Sequence, residues 1–499
     1  MAITRRAWLA GTAGGIAAAE LATQAGAAAA QGAPAPFGPF VTHHQGVFGG
    51  QAMAYTATVG ETVIADDKSQ PTCRFVTTAY VKDGADPATR PVLFGFNGGP
   101  SSASAALHMV ALGPKRIAIA QDPAAPAPPP SMADNPLCVL DVADIVFIDP
   151  AETGFSRILP SGKREVFYSV NGDAQSVTDF ILAWTKANGR ERSPKYVLGE
   201  SYGTMRAAVM AGQLASVLPL DGVFIFGQAV NMIETSQRAK NAISYAANMT
   251  ALAAIAAYHG KATGLPKDPA AIADAAYAWG MGEYLQALLR GHDLTDAGRR
   301  RIATRLQAMT GISADYYLAH DLVITKIDYA RELLKDRGLI LAQYDARYTG
   351  PAPAAGGRAA DPMRGIMAAI PVMMKAHYTQ NLGVTAAMDD YRETAPGSNQ
   401  WTWSGTLGPG GPFLDYDYQA RLSEAFRANP RFRLMVGTGY YDLTTTIGPA
   451  RYLVTRSDYP RDRVVQRQYV GGHMAYTHAP SHKAFTDDIR AWVKGGLPA

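Results

Sequence analysis

The amino-acid sequence predicts an α/β fold, in which a mostly parallel central sheet carries helices on both faces and is divided by a helical insertion. Short, continuous apolar runs are typical of strands buried on both faces, and they occur in "DIVFIDP", "KYVLGESYG" and "DGVFIFGQAV". A helical pattern, "GDAQSVTDFILAWTKAN", separates the first two runs, which is the order of a βαβ unit. From about residue 231 to residue 400 helical patterns replace the strand patterns.

The first thirty residues predict an export signal that lies outside the fold. Arg5 and Arg6 precede an Ala/Gly-rich stretch of modest hydrophobicity, which closes on small residues near Ala30. The pattern resembles a twin-arginine signal, an address that a translocon for folded proteins recognises. We therefore expect a bacterial protein that is periplasmic or secreted and has no stable membrane anchor.

The remaining chain is predicted to form one core in two halves, with a cap between them. The first half, 31–230, opens with a proline-rich spacer up to about Phe40 and continues with the strand patterns "TCRFVTTAYVKDG" and "RPVLFGFNGGP". The helical cap covers 231–400. The second half, 401–499, contains the strand patterns "RFRLMVGTGYYD" and "DRVVQRQYVGGH".

The composition argues against several classes of function. The net charge is +4 in 499 residues, and the densest basic run, 299–301, fits the solvated face of an amphipathic helix better than a nucleic-acid site. Beyond the export signal, no apolar run reaches transmembrane length. The only cysteines, Cys73 and Cys138, are expected to be buried and unpaired. We expect no metal, no cofactor and no nucleic-acid partner.

A nucleophile is predicted where the strand pattern of "KYVLGESYG" gives way to a helical pattern. The five residues from Gly199 to Gly203 fit the G-x-S-x-G elbow, in which a tight turn pushes the hydroxyl of Ser201 out over the sheet. The motif is weak by itself in a chain with 49 glycines. A serine nucleophile also needs a base and an acid that orients the base.

Asp442 and His473 are the predicted partners of Ser201. In α/β-hydrolases the acid and then the histidine follow the serine along the chain. Asp442 ends one strand pattern and His473 ends the next, at the sheet edge where α/β proteins hold their sites. The order therefore predicts an α/β-hydrolase fold with a triad of nucleophile, acid and base.

Other histidines and acids fit these roles less well. His478 and His482 fall within a final helical pattern, where we expect surface positions. The histidines at 43–44 lack a metal-ligand pattern, and Asp415 and Asp417 precede a helix, as capping residues do. Two backbone amides are also needed to bind an oxyanion. One is predicted at Tyr202, and the other in the glycine loop "FGFNGGPSS".

Together these motifs resemble a known family. "FNGGPSS", "VLDVADIVFIDPAETGFSR", "LGESYG", "GYYD" and "GGHMAYTH" occur in the order found in the serine carboxypeptidase family, particularly its bacterial, periplasmic branch, and "AQYDARYTG" in the cap is similar as well. The resemblance implies a serine exopeptidase that removes C-terminal residues from peptides. It assigns the triad to Ser201, Asp442 and His473 and the oxyanion donors to the amides of Gly99 and Tyr202.

The resemblance also implies a site for the terminal carboxylate of the substrate. In this family the glutamate before the serine, here Glu200, hydrogen-bonds the asparagine of the glycine loop, here Asn97, and Gly98 completes the site. A carboxyl group that faces a carboxylate must be protonated to donate a hydrogen bond. Activity on peptides with a free C-terminus is therefore expected to favour acidic pH.

Three positions depart from the family pattern. The family places a second glutamate where this chain has Ala111, and a glycine where it has Ser101. Glu152 stands where a glycine is usual. An esterase or acyltransferase that uses the same triad is therefore the alternative function, and a silent binding protein is a third. A homodimer is common in the family, although nothing in the chain identifies an interface.

Overall fold

A ten-stranded sheet organises the fold in the computed structural model, which describes residues 36–354, 360–403 and 417–496. The chain divides into the units Met1–Gly38 and Pro39–Ala499. The described residues of the first unit, 36–38, form neither helix nor strand, and the predicted export signal lies outside the described residues. All that follows concerns the second unit.

Fourteen strands are present in the described residues of the second unit. They are β1 (Phe40–Phe48), β2 (Gln51–Ala65), β3 (Pro71–Lys82), β4 (Val92–Phe96), β5 (Lys115–Ile117), β6 (Met132–Asp134), β7 (Asp144–Ile148), β8 (Arg157–Ile158), β9 (Lys195–Glu200), β10 (Gly222–Phe226), β11 (Leu339–Leu341), β12 (Thr349–Pro351), β13 (Arg433–Gly439) and β14 (Val464–Tyr469). The spatial order in the large sheet is β1, β2, β3, β7, β4, β9, β10, β13 and β14, with β8 paired to β3. The pairs β5–β6 and β11–β12 form two small sheets of their own.

The centre of the sheet is parallel, and its C-terminal edge is where the predicted functional residues follow the strands. From β7 to β14 every neighbouring pair is parallel. Every residue of β4, β7, β9 and β10 is buried, as their continuous apolar patterns predict for strands covered on both faces. The topology confirms the predicted α/β-hydrolase fold.

The antiparallel side of the sheet contains a hairpin that the sequence analysis did not predict. Strands β1 and β2 pair in register from Phe40 with Val59 to Phe48 with Gln51. Gly49 and Gly50 join them, both with positive φ, as the two-residue turns of β-hairpins require. Every second residue of β1 is exposed, because β1 lies at the edge of the sheet. Its sequence therefore lacks the continuous apolar run by which the parallel strands were predicted.

Helices cover both faces of the sheet and fill the insertion. The helices of ten or more residues in the described chain are α1 (Val170–Ala187), α2 (Gly203–Leu214), α3 (Ala242–Tyr258), α4 (Pro269–Trp279), α5 (Asp296–Thr310), α6 (Arg364–Gln380), α7 (Tyr418–Ala428), α8 (Ile447–Arg456) and α9 (Ala479–Val493). Shorter helices are Arg164–Phe167, Met232–Thr235, Leu285–Arg290, Ala314–Ala319 and Lys326–Glu332. Within the described residues, no helix has the length and apolarity to cross a membrane.

The chain between β10 and β13 has a hydrophobic core of its own. Buried residues of α3, α4 and α5 form this cluster, and Tyr440, Tyr441 and Leu443 join it from the loop that follows β13. The loop around Asp442 therefore packs on the insertion as well as on the sheet. Cys73 and Cys138 are free and buried, as expected.

Candidate active site

Ser201 lies at a strained turn between β9 and α2. Its φ is +59°, a left-handed conformation that is uncommon for a residue other than glycine and that recurs at functional turns. The turn is tight, because a Cβ atom at Gly199 would lie 2.3 Å from the carbonyl oxygen of Gly203. The amide of Ser201 donates to the carbonyl of Phe226 at the end of β10 (2.9 Å). This is the geometry that the elbow motif predicts.

Asp442 and His473 come together at the ends of β13 and β14. The Nδ1 atom of His473 lies 2.8 Å from Oδ2 of Asp442, and both side chains are buried. The carboxylate also accepts hydrogen bonds from the amide of Thr444 (2.6 Å) and from the amide and the hydroxyl of Thr445 (3.0 and 2.8 Å). Four donors thus compensate for the burial of this acid.

The electrostatic surroundings favour a protonated His473. Burial lowers the pKa of the imidazole, but the charge and hydrogen bond of Asp442, with a contribution from Glu200, outweigh burial and raise it above its usual value. A base with a raised pKa holds the proton that it takes from a nucleophile. An acid that orients and stabilises the resulting imidazolium is the role of the third triad member.

Ser201 and His473 both lie close to the end of β10. The Ser201 amide is bound to Phe226, and a Cβ atom at the next residue, Gly227, would lie 3.0 Å from Cε1 of His473. Among the described residues no hydrogen bond joins the hydroxyl of Ser201 to His473. Such bonds are often long before substrate binds and tighten in the complex.

Two residues of the insertion that the sequence analysis did not single out support this pair. The ring of Tyr344 packs against His473 (centroids 4.9 Å apart), and its carbonyl accepts the His473 amide (2.5 Å). The ammonium of Lys326 donates to the carbonyls of Thr235 (3.0 Å) and Thr444 (2.6 Å). Burial lowers the pKa of Lys326 to about 8, against the opposing effect of Asp442. Only Tyr344 had a sequence signal, the segment "AQYDARYTG".

The glycine loop after β4 contacts the turn that carries Ser201. A Cβ atom at Gly98 would lie 2.5 Å from the amide nitrogen of Tyr202 and 2.9 Å from Cβ of Ser201, so only glycine fits there. Gly99 has a φ of +107°. The amides of Gly99 and Tyr202 bind no acceptor among the described residues, and two such free donors beside a nucleophile form a suitable oxyanion site.

A buried ion pair fixes both sides of this oxyanion site. Arg206 of α2 is completely buried and pairs with Asp173 of α1 (2.7 Å), which also accepts the hydroxyl of Tyr202 (3.0 Å). The same guanidinium donates to the carbonyl of Asn97 (3.0 Å). Sequence analysis missed this pair, because nothing in either helix indicates that the two residues meet.

Glu200 is the predicted site residue whose surroundings are most unusual. It is buried, it accepts the hydroxyl of Tyr476 at Oε2 (2.6 Å), and it shares a hydrogen bond with the side chain of Asn97. The Oδ1 atom of Asn97 accepts the amide of Leu107 (2.9 Å), which leaves its NH₂ group to donate. Burial raises the pKa of Glu200 to about 7, although His473 and Tyr476 oppose this increase.

The three departures from the family pattern have different surroundings. Ala111 is buried, and its carbonyl accepts the ring of His482 (2.6 Å), so the prediction that His482 is a surface residue was wrong. Ser101 has a φ of +67°, which explains why a glycine is usual there. The carboxylate of Glu152 pairs with Arg392 and accepts the amide of Ile158 (2.9 Å). Glu152 therefore does not take the place of the missing second carboxyl.

The structure describes one of the two predicted capping residues. Asp417 begins α7 and accepts the amide of Ala420 (3.1 Å), as a capping residue does. Asp415 lies outside the described residues. His478 precedes α9 and is partly buried.

Comparisons with known proteins agree with the motifs. Residues 77–226 match the family model of serine carboxypeptidases. The resemblance to this family is thus confirmed. The matched segment ends at the last residue of β10, so it contains the glycine loop, Glu200 and Ser201 and stops before the insertion. A search of curated proteins found no match.

Several solved structures with similarity to the chain have low sequence identity to it. They include a loop variant of the haloalkane dehalogenase DbeA from Bradyrhizobium elkanii, at 14% identity over 91% of this chain and 97% of that one, with a TM-score of 0.33. A thermophilic esterase from Thermogutta terrifontis is 12% identical over 88% and 99%, with a TM-score of 0.34. The epoxide hydrolase of Aspergillus niger is 13% identical over 88% and 78%, with a TM-score of 0.36. The family match over residues 77–226 is what supports a hydrolase similar to serine carboxypeptidases.

Proposed function

We propose that the protein is a serine-type carboxypeptidase, which hydrolyses the last peptide bond of peptides with a free C-terminus. The observation that carries the proposal is the buried Glu200 beside the nucleophile, bound to Asn97 and Tyr476 and with a pKa raised to about 7 by burial. A neutral carboxyl group in this position donates a hydrogen bond to the carboxylate of a substrate. An ionised one repels it.

The reaction proceeds through an acyl-enzyme. The Ser201 oxygen attacks the scissile carbonyl carbon while Nε2 of His473 takes the hydroxyl proton. The amides of Gly99 and Tyr202 donate to the oxyanion that forms. When the C–N bond breaks, the proton on Nε2 passes to the leaving amine. Water then attacks the acyl-enzyme by the same route, and Ser201 regains its proton from His473.

Tyr476 supports this proposal as the partner that binds Glu200 beside Asn97. Its hydroxyl holds Oε2 of Glu200, and its ring is completely buried between Phe226 and Phe485. A rigid neutral donor fixes the orientation of Glu200 without adding a second acid. Recognition of a terminal carboxylate therefore rests on one glutamate, one asparagine and the loop amide of Gly98.

An esterase or acyltransferase is the second candidate, and Ala111 is the residue that favours it, because an alanine has no acid to share with Glu200. Both functions use Ser201, Asp442 and His473. They differ in whether a free carboxylate on the substrate increases the rate.

The experiment compares an N-blocked dipeptide with its C-terminally amidated twin from about pH 4 to pH 8, a range that includes the pKa of about 7 of Glu200. The Ser201→Ala variant provides the blank. We expect faster hydrolysis of the free acid, with the preference greatest at low pH. Equal rates for the two peptides, or turnover of simple esters alone, would favour the esterase.

We also propose that the protein is exported, on the basis of Arg5, Arg6 and the small residues near Ala30. Fractionation of a bacterial host that expresses the full chain tests this. An Arg5→Lys, Arg6→Lys variant should stay in the cytoplasm, whereas equal export of both proteins would contradict the proposal.

A further inference from the structure

A short segment of the insertion lies against the glycine loop from outside the site. Residues 391–396, which we call the strap, bind the C-terminal end of the loop: the amide of Ala103 donates to the carbonyl of Glu393 (2.9 Å), and the amide of Ala395 donates to the carbonyl of Ser101 (2.9 Å). An isolated β-bridge joins Ser102 and Thr394 between these bonds. The glycine loop is therefore paired with the strap as with a short strand.

The strap is also fastened to two neighbouring parts of the core. The Gly154 amide donates to the carbonyl of Arg392 (2.7 Å), and the Arg392 amide donates back to Gly154 (3.0 Å). The Arg392 guanidinium pairs with Glu152, and the hydroxyl of Tyr168 donates to the carbonyl of Pro396 (2.8 Å). The strap is thus held at both ends, and its middle supports the loop.

Two carboxyl groups lie beneath this junction. Asp149, which follows β7, is buried and accepts the amide of Ser104 (2.7 Å), so it holds the chain directly after the loop. Glu393 points inward from the strap and shares a hydrogen bond with Tyr391, and its Oε2 atom is buried with no partner among the described residues. The two acids interact electrostatically, and no cation pairs with Glu393 among those residues.

The groups that face these acids leave the second charge uncompensated. Arg157 faces Asp149, but its guanidinium hydrogen bonds go to backbone carbonyls, and Arg392 is bound to Glu152. The buried hydroxyls of Tyr378 and Tyr391, which carry no charge, also lie near Asp149 and Glu393. Burial raises the pKa of Asp149 to about 7 and that of Glu393, together with the charge of Asp149, to about 8.

We propose that Glu393 and Asp149 are positioning residues for the oxyanion site, and that the strap holds the glycine loop in place only while this carboxyl pair carries at most one negative charge. When both acids ionise, their repulsion separates the strap from the core, and the hydrogen bonds to Ala103 and Ala395 are lost. The Gly99 amide then no longer has a fixed position. The inference applies to any acyl transfer at Ser201 and does not depend on recognition of a terminal carboxylate.

The test measures kcat for 4-nitrophenyl butyrate from pH 6 to pH 10, with Ser201→Ala as the blank. If an acid with a pKa of about 8 must stay protonated, kcat of the wild type falls about tenfold between its plateau and pH 9. In Glu393→Gln, which keeps the shape and cannot ionise, the fall at pH 9 should be less than about twofold. Asp390→Asn removes an exposed carboxyl directly before the strap and should behave as the wild type.

Two further measurements distinguish separation of the strap from titration of Glu200. Glu200→Gln should leave the alkaline loss of ester hydrolysis unchanged, because this substrate has no carboxylate. Amide hydrogen exchange of wild-type protein, corrected for the intrinsic effect of pH, should show Ala103 and Ala395 losing protection between pH 7 and pH 9, and it needs neither a variant nor turnover. An alkaline loss that persists in Glu393→Gln, or exchange at these amides that is independent of pH, would overturn the inference.

Discussion

Asp442 and Glu200 are both buried beside Ser201, yet their surroundings differ. Asp442 accepts four hydrogen bonds, from His473, two amides and a hydroxyl. Among the described residues, only Tyr476 and Asn97 form side-chain hydrogen bonds with Glu200, and burial raises its pKa to about 7. The comparison teaches that two acids buried to a similar depth at one site can differ in the number of donors that stabilise a negative charge.

The largest expected effect comes from removing the charge of the well-bound acid. Asp442→Asn keeps the shape of the side chain but neither orients the neutral base correctly nor stabilises an imidazolium, so kcat should fall by about 10⁴-fold. Asp462→Asn, an exposed acid before β14, is the matched control and should keep wild-type activity. A loss of less than tenfold in the Asp442 variant, measured with an ester, would mean that this acid does not belong to the catalytic machinery.

The second prediction concerns the acid with few donors. Glu200→Gln is neutral at every pH, so the ratio of kcat/KM for the free-acid dipeptide to that for its amide should become independent of pH. For the wild type the same ratio should fall about 15-fold from pH 7 to pH 8.5, as an acid with a pKa of about 7 ionises. If the ratio falls equally in both proteins, Glu200 does not receive the carboxylate.

The third prediction changes the number of donors at Glu200. Tyr476→Phe removes a hydrogen bond to the charged form, which should raise the pKa of Glu200 by about one unit, because such bonds contribute about 1.5 kcal/mol and one unit corresponds to about 1.4 kcal/mol. The alkaline decline in free-acid hydrolysis should move to higher pH by the same amount. A decline at the wild-type pH would show that Tyr476 does not control this acid.

The smallest expected effect is on stability. The folded-state pKa values of Glu200, Asp149 and Glu393 lie above those of the unfolded chain. Their contribution to the free energy of unfolding is therefore complete below about pH 4 and is lost as the pH rises through 7 to 8. The melting temperature should therefore decline between about pH 4 and pH 8. Glu393→Gln should reduce the decline by about 1 °C for each kcal/mol of ionisation cost removed, because the unfolding entropy of a chain of this size is about 1 kcal/mol per kelvin. Identical curves for the two proteins would mean that Glu393 is solvated when ionised.

Much of the fold followed from the sequence because its signals are local. The parallel strands were predicted from unbroken apolar runs, and each begins or ends near its predicted limit, as β9 and β10 do. The hairpin of β1 and β2 was missed, because its exposed alternate residues weaken the apolar pattern. Its Gly49–Gly50 turn was the available signal.

The candidate site was predictable to the extent that its residues end strands. Asp442 and His473 follow β13 and β14 and meet, as chain order suggested, and Gly98 lies against Ser201. Lys326 and Glu393 were not predicted, because each acts on a residue far away in the chain and carries no motif of its own. Tyr476 lies within the segment "GGHMAYTH", but nothing in that segment indicates that its hydroxyl meets Glu200. Burial of His482 was missed for the same reason, since its partner is the carbonyl of Ala111.

The return of the insertion to the glycine loop limits how this protein can be engineered. A cap that is joined to its core only by two connections can be exchanged as a module to change substrate range. Here the exchange must end before residue 391, because Ser101 and Ala103 form hydrogen bonds with the strap. A chimera cut at residue 400 would replace the support of the oxyanion site together with the specificity surface, and its low activity would be mistaken for a poor choice of cap.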